Sequence, residues 1–315
     1  MKFCTAIVFL ASAASTTNAF APKKSSTDTK PPSALNIVVG DTAEEFAARV
    51  EATFEKATPK DPGFEEMVRG SFPGAISNQD LVTGAVGILA RKGYNGENTL
   101  LATSLCCDEL ARQLEDDFNG IYGNNFNLGG LAGFPFAGKT GFGAMAAHIP
   151  DDGYCLVVYG PHVGVATDGT VGKVERSGIA LVDTCCGSAV AASGYVDSIL
   201  SGTKDVSTGI QGFVDFQQQG VQELILPHGK RLADAGENRM IELPYALYDS
   251  QDVLLTEIVE GGSTGIKRGL AMLGGIQINT GPDTPDYFVP LKFDYLNYRG
   301  EVTADLLPGL LADQE

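Results

Sequence analysis

Tyr154-Cys155-Leu156-Val157-Val158-Tyr159 runs directly into Gly160-Pro161-His162. Six consecutive β-favouring residues without polar alternation describe a strand buried on both faces, and the Gly-Pro pair ends it. Such strands occur in sheets covered by helices on both sides. Residues 99–105 (Thr-Leu-Leu-Ala-Thr-Ser-Leu) form a second run of this kind. Runs at 179–182, 275–279 and 287–295 read as further strands. Between and around them lie helical patterns at 42–56, 80–92, 107–118, 188–200, 207–224 and 247–260. In the first, Thr42 can cap, Glu44 and Glu45 suit the positive end of the dipole, and Phe46, Val50 and Phe54 share a face. Residues 120–143 are Gly-rich and irregular. Apolar strands alternating with helices predict an α/β fold, a single domain over residues 37–315 with a mostly parallel central sheet flanked by helices.

The chain has 315 residues and a formal net charge of −17. Residues 1–36 carry four lysines and one aspartate, so the rest holds about −20. Coulomb repulsion makes a body that acidic a poor partner for nucleic acid or anionic lipid. Residues 1–19 read as a signal peptide: Lys2, a short apolar run from Phe3 to Ala14, and small residues up to Thr17-Asn18-Ala19. Residues 20–36, opening Phe20-Ala21-Pro22-Lys23-Lys24, are basic, hydroxyl-rich and acid-poor. Together the two segments resemble the bipartite leader of algae with complex plastids. That resemblance implies a plastid location, in the stroma or pyrenoid rather than the thylakoid lumen. Residues 20–315 contain no Asn-x-Ser/Thr acceptor and five cysteines, an odd number that does not make a disulfide framework. No further run is long enough to span a bilayer, so no membrane insertion is expected once the leader is removed.

Two motifs are distractors. Residues 133–140 (Gly-Phe-Pro-Phe-Ala-Gly-Lys-Thr) fit the phosphate-binding G-x-x-x-x-G-K-[ST], which leaves a P-loop NTPase as a remote alternative. The residues before it are turn formers rather than a buried strand, and Pro135 removes a donor from the loop. Gly261-Gly262-Ser263-Thr264-Gly265 fits a nucleophile elbow, but His148, His162 and His228 all precede it, the wrong order for an α/β-hydrolase.

A third constellation has chemistry at three expected strand ends: Cys106-Cys107, His162, and Cys185-Cys186. Open α/β sheets bind ligands at the carboxyl ends of their strands. Two thiolates and one imidazole make a zinc shell that leaves a fourth position open. The same residues also suit a buried apolar core, and vicinal thiols suit redox chemistry.

Ser104-Leu105-Cys106-Cys107-Asp108-Glu109-Leu110-Ala111-Arg112, the Gly-rich stretch 126–143, Tyr159-Gly160-Pro161-His162 and Cys185-Cys186-Gly187 together resemble the LCIB (limiting-CO2-inducible protein B) family. This family includes θ-type carbonic anhydrases and is related in fold to β-carbonic anhydrases. The resemblance covers most of residues 40–300. It implies Zn2+ held by Cys, His and Cys, carried over to Cys106, His162 and Cys186, with the neighbours Cys107 and Cys185 as alternatives. It further implies an Asp–Arg pair beside the metal, carried over to Asp108 and Arg112, and a homodimer. The implied function is reversible hydration of CO2 to bicarbonate, or a catalytically silent zinc scaffold of the same family. In the active case Asp108, kept ionised by Arg112 one helical turn away, would accept a proton from zinc-bound water and orient it towards CO2. Leu131, Phe134 and Phe136 would line an apolar wall or simply pack the core, and His148 and His228 would relay protons or serve a structural role.

Overall fold

A computed structural model describes residues 42, 45, 48, 62–206, 214–262 and 265–312. The leader segments and most of residues 42–56 lie outside this set. Of the first expected helix, Thr42 and Glu45 are seen exchanging reciprocal hydrogen bonds at 2.8 and 3.2 Å, the pairing of a capping box.

The structure is a single α/β domain built on one large mixed sheet. Strands β1 (Ile76–Ser77), β2 (Thr99–Ser104), β3 (Asn125–Asn127), β4 (Tyr154–Tyr159) and β5 (His162–Gly164) come from the first half of the chain. Strands β6 (Lys173–Val174) and β7 (Asp183–Thr184) pair only with each other; β8 (Gly269–Asn279), β9 (Tyr287–Asn297) and β10 (Val302–Asp305) complete the large sheet. The order is β1-β9-β8-β4-β2-β3. Strands β3, β2, β4 and β8 are mutually parallel, β5 adds to β8 in parallel, and β9 turns antiparallel.

Both faces of the sheet are buried, and side chains alternate between two cores. Leu156 and Val158 of β4 join Ala271 and Leu273 of β8 in the core under helices Asn78–Ala90, Arg112–Tyr122 and Gly187–Leu200. Cys155, Val157 and Tyr159 join Leu270 and Met272 in the opposite core, under helices Pro62–Ser71 and Gly138–Ala146. Helix Arg239–Gly262 serves both cores. Each fully buried Leu or Val contributes roughly 1.5–3 kcal/mol. No helix among the described residues is long and apolar enough to cross a membrane.

Several elements differ from expectation. The helix expected at 80–92 is Asn78–Ala90, started by Ser77, whose hydroxyl accepts the Asp80 N–H. The helix at 247–260 is longer, Arg239–Gly262, and holds Pro244 as its sixth residue. Of the expected 207–224 helix, the described part is Phe216–Ile225. Residues 179–182 form no strand: Ile179, Leu181 and Val182 are 53%, 78% and 46% exposed. An apolar triplet with no covering partner has nothing to fix it as a strand. The helix expected at 107–118 begins only at Arg112, after a 3-10 turn at Glu109–Ala111.

Glycines set how closely the site elements approach. A side chain at Gly160 would meet the Gly275 carbonyl oxygen at 1.8 Å, so β4 gives way to β5 where two backbones touch. A side chain at Gly129 would strike the Leu105 backbone at 2.3 Å, and one at Gly133 the Gly160 carbonyl at 2.3 Å. The Gly-rich loop is therefore pressed onto the ends of β2 and β4. That is the role of the P-loop-like letters: Gly133 closes a 3-10 turn (Leu131–Gly133) rather than following a buried strand, and its neighbour is protein backbone. Ser263 and Thr264 of the elbow-like motif lie outside the described residues.

Candidate metal centre

The carboxyl ends of the central strands converge here. Strand β2 delivers Leu105 and Cys106; β4 breaks at Gly160-Pro161 and delivers His162 as the first residue of β5; the Cys185-Cys186 pair precedes helix Gly187–Leu200. Cys106, His162 and Cys186 are all buried, and their ligand atoms lie within 4.8 Å of one another. The Cys106 and Cys186 sulfurs are 3.9 Å apart. Cys186 is the N-cap of its helix, with an extended backbone.

The hydrogen bond between the Cys106 and Cys186 sulfurs, together with burial, pushes the Cys106 thiol up to about 12. Burial opposes charge on His162, yet the thiols around it, Cys185 first, hold the imidazole well above its usual range.

The orientation of His162 is set from outside. Its Nδ1 is 2.8 Å from the Asn279 Oδ1, so Nδ1–H donates and Nε2 is the free nitrogen. Asn279 cannot flip, because its Nδ2 donates to Asp286 Oδ2 and to the Leu110 carbonyl, each at 3.0 Å. Burial pushes Asp286 up to about 6 against those bonds. The His162 Nε2 is buried and has no partner. Cys185 sits on the other side of the ring, its sulfur 3.4 Å from Nδ1. Asp108, His162 and Cys185 also lie within 4.8 Å of one another, so the cluster is a Cys/His/Asp/Cys group able to hold a metal.

Asp108 does not meet Arg112. Asp108 has an extended backbone and caps the 3-10 turn, its Oδ1 accepting the Leu110 N–H at 3.1 Å. The one-turn spacing brings two residues together only when both are helical, and Asp108 is not. Arg112 is 54% exposed and reaches Glu115 at 3.3 Å. The arginine beside Asp108 is Arg176, which grips the carboxylate with both Nη atoms at 3.0 Å and also contacts Glu109. Burial would raise the Asp108 carboxyl, but Arg176 and the Leu110 N–H bring it down to about 2. Arg176 sits in a loop, and nothing in its spacing from Asp108 marks it in the sequence. Asn279 did leave a signal: in Gly275-Ile276-Gln277-Ile278-Asn279 polar residues alternate with isoleucines along a strand with every residue buried.

Phe134 is buried in the same apolar core as Cys106 and Cys186, with Leu131 and Phe136 packed against it. His148 and His228 are not in the cluster: His148 Nδ1 turns to the Ala144 carbonyl and His228 Nε2 to the Ser250 hydroxyl. Cys107, unlike its neighbour, is exposed.

Residues 75–297 match the family model of the limiting CO2-inducible proteins B/C, β-carbonic anhydrases. The crystal structure of PtLCIB4, a homolog of the limiting CO2-inducible protein LCIB, is 44% identical over 76% of this chain and 99% of that one, with a TM-score of 0.72. A histidine-to-alanine point mutant of PtLCIB4 matches at 43% identity over 78% of this chain and 98% of that one, with a TM-score of 0.73. The structure of LCIB itself is 21% identical over 74% of this chain and 95% of that one, TM-score 0.58, a likeness of fold. No curated protein matches the chain. With its model matched over most of the described residues and a relative of known structure this similar, the chain belongs to the limiting CO2-inducible protein B/C family of β-carbonic anhydrases.

Proposed function

We propose that the protein catalyses the reversible hydration of CO2 to bicarbonate at a Zn2+ ion held by Cys106, His162 and Cys186. The observation that carries this reading is the convergence of two buried thiols and a buried imidazole whose Nε2 lacks a partner. Two zinc–sulfur bonds of about 2.3 Å at a tetrahedral angle span about 3.8 Å. The sulfur separation of 3.9 Å fits that span. His162 offers Nε2 because Asn279 holds Nδ1, which favours Cys186 over Cys185 as the second thiolate.

Zinc held by these three residues would supply a Lewis acid that acidifies water. Asp108, ionised at neutral pH, would accept a hydrogen bond from that water and orient it towards CO2. Arg176 keeps that carboxylate charged and, by gripping both oxygens, keeps it from taking the fourth position itself. Phe134 and Leu131 supply an apolar wall suited to CO2. Ile179, Leu181 and Val182, exposed in the loop between Arg176 and Cys185, form the kind of apolar surface that a second copy of the chain would cover. The leader-like residues 1–36 support a role in plastid inorganic-carbon concentration, in stroma or pyrenoid.

Metal analysis and stopped-flow CO2 hydration on the purified protein test the proposal together. One zinc per chain with hydration well above buffer supports it; no bound zinc ends it. One observation favours a second reading, a silent zinc scaffold: the Asp108 carboxylate already lies in a donor group with His162 and Cys185. Zinc bound with hydration at the buffer rate would select that alternative.

A further inference from the structure

Buried polar side-chain atoms are almost always hydrogen-bonded, and an unpaired N–H donor is rarer than an unpaired carbonyl. Among the described residues, the buried side-chain polar atoms without a partner are mostly oxygens, each on an amide or a tyrosine. Two are nitrogens: His162 Nε2 and Gln277 Nε2.

These two nitrogens belong to neighbours. His162 and Gln277 are register partners in the parallel pair β5 and β8. Adjacent strands lie about 4.8 Å apart, and register partners project from the same face. The apolar residues fix which face. Val163 of β5 and Ile276 and Ile278 of β8 point into one core, so His162, Gln277 and Asn279 point to the other side. That side is where Cys106 and Cys186 lie. Asn279, two residues beyond Gln277 on this face, reaches His162 Nδ1. Gln277 is 2% exposed, and its backbone N–H is used by the Pro161 carbonyl. Its Nε2 has no partner within the protein, and an isoleucine, as at 276 and 278, would cost less to bury.

We infer that Gln277 contacts the substrate: its Nε2–H donates a hydrogen bond to an oxygen of bicarbonate, and of CO2 in the hydration direction, held above His162. This rests on the proposed function and adds a substrate-orienting donor from β8. A donor at this place is stereochemically selective. It suits a small planar oxyanion, whereas the Phe134 side offers no directional bond.

The test is the side-chain amide itself. In 15N-labelled, zinc-loaded protein, the Gln277 NH2 signals, assigned by their loss in Gln277→Leu, should shift on titration with bicarbonate. Gln277→Leu should keep one zinc per chain and bind bicarbonate about tenfold more weakly, one hydrogen bond to an anion. Gln277→Glu, with no donor at neutral pH, should bind more weakly still. Gln277 signals that stay put while wild-type protein binds bicarbonate, or a Gln277→Leu variant with unchanged affinity, would overturn the assignment and leave the proposed function standing. Wild-type protein that binds neither zinc nor bicarbonate overturns both.

Discussion

Residues 99–106 and residues 172–186 each end in a cysteine that faces His162, yet they reach it by opposite routes. The first is a straight, wholly buried strand, hydrogen-bonded on both sides by β3 and β4. The second is a loop tied by one two-residue ladder, with three apolar side chains in the open. The strand supplies a donor whose place is dictated by the sheet. The loop supplies Cys186 and also Arg176, whose partner Asp108 lies just beyond the strand. The division of labour is that the sheet fixes where Cys106 and His162 stand, while the loop adds Cys186 and the charge of Arg176.

The largest effects should come from breaking the convergence itself. Cys106→Ser, His162→Ala and Cys186→Ser should each reduce bound zinc from one per chain to near zero, with hydration falling to the buffer rate. Cys185→Ser should retain most of the metal, which sharpens the distinction between the vicinal thiols. Next, the loop's arginine can be set against the helix's. Arg176→Ala should lower CO2 hydration about 10–100-fold while zinc stays bound, the scale of losses at residues that orient a metal site. Arg112→Ala should stay within about twofold, since its exposed pair with Glu115 contributes only ~0.3–0.5 kcal/mol. Equal losses in the two variants would erase the contrast. Behind the strand, Asn279→Ala should weaken zinc affinity about 10–100-fold in competition with a chelator.

The smallest effect is on stability against pH. Burial raises Asp286 and Asp117 each to about 6, above the unfolded value of about 3.9. The folded state then binds protons more tightly than the unfolded chain. Their contribution is present at low pH and is lost as pH rises from about 4 through about 6. Asp286→Asn should flatten part of that decline in the melting temperature. An identical slope in both proteins would show that this carboxyl titrates in the fold as it does in the unfolded chain.

The same contrast explains what could be read from the sequence. Residues 154–159 and 99–104 were legible because burial on both faces demands an unbroken apolar run. The convergence of Cys106, His162 and Cys186 was legible because strand ends in an α/β sheet are where functional side chains gather. Residues 179–182 misled, since an apolar run also arises where side chains are left exposed. Arg112 misled because a one-turn spacing was applied across a cap, where the backbone is extended. Arg176 could not be found by spacing at all, for loop closure carries no periodicity. Asn279 was findable: an amide alternating with isoleucines in a buried strand has no reason to be there except its hydrogen bonds.

Cys106 and Cys107 are consecutive, one enclosed beside His162 and the other open to solvent. A thiol-directed reagent therefore meets the second first, although partial burial pushes that thiol up and slows the attack. Alkylating the protein under mild conditions should mark Cys107 while sparing the enclosed thiols of Cys106, Cys155, Cys185 and Cys186. The rate at which those thiols become reactive then reports, without any assay of turnover, how often the strand end opens.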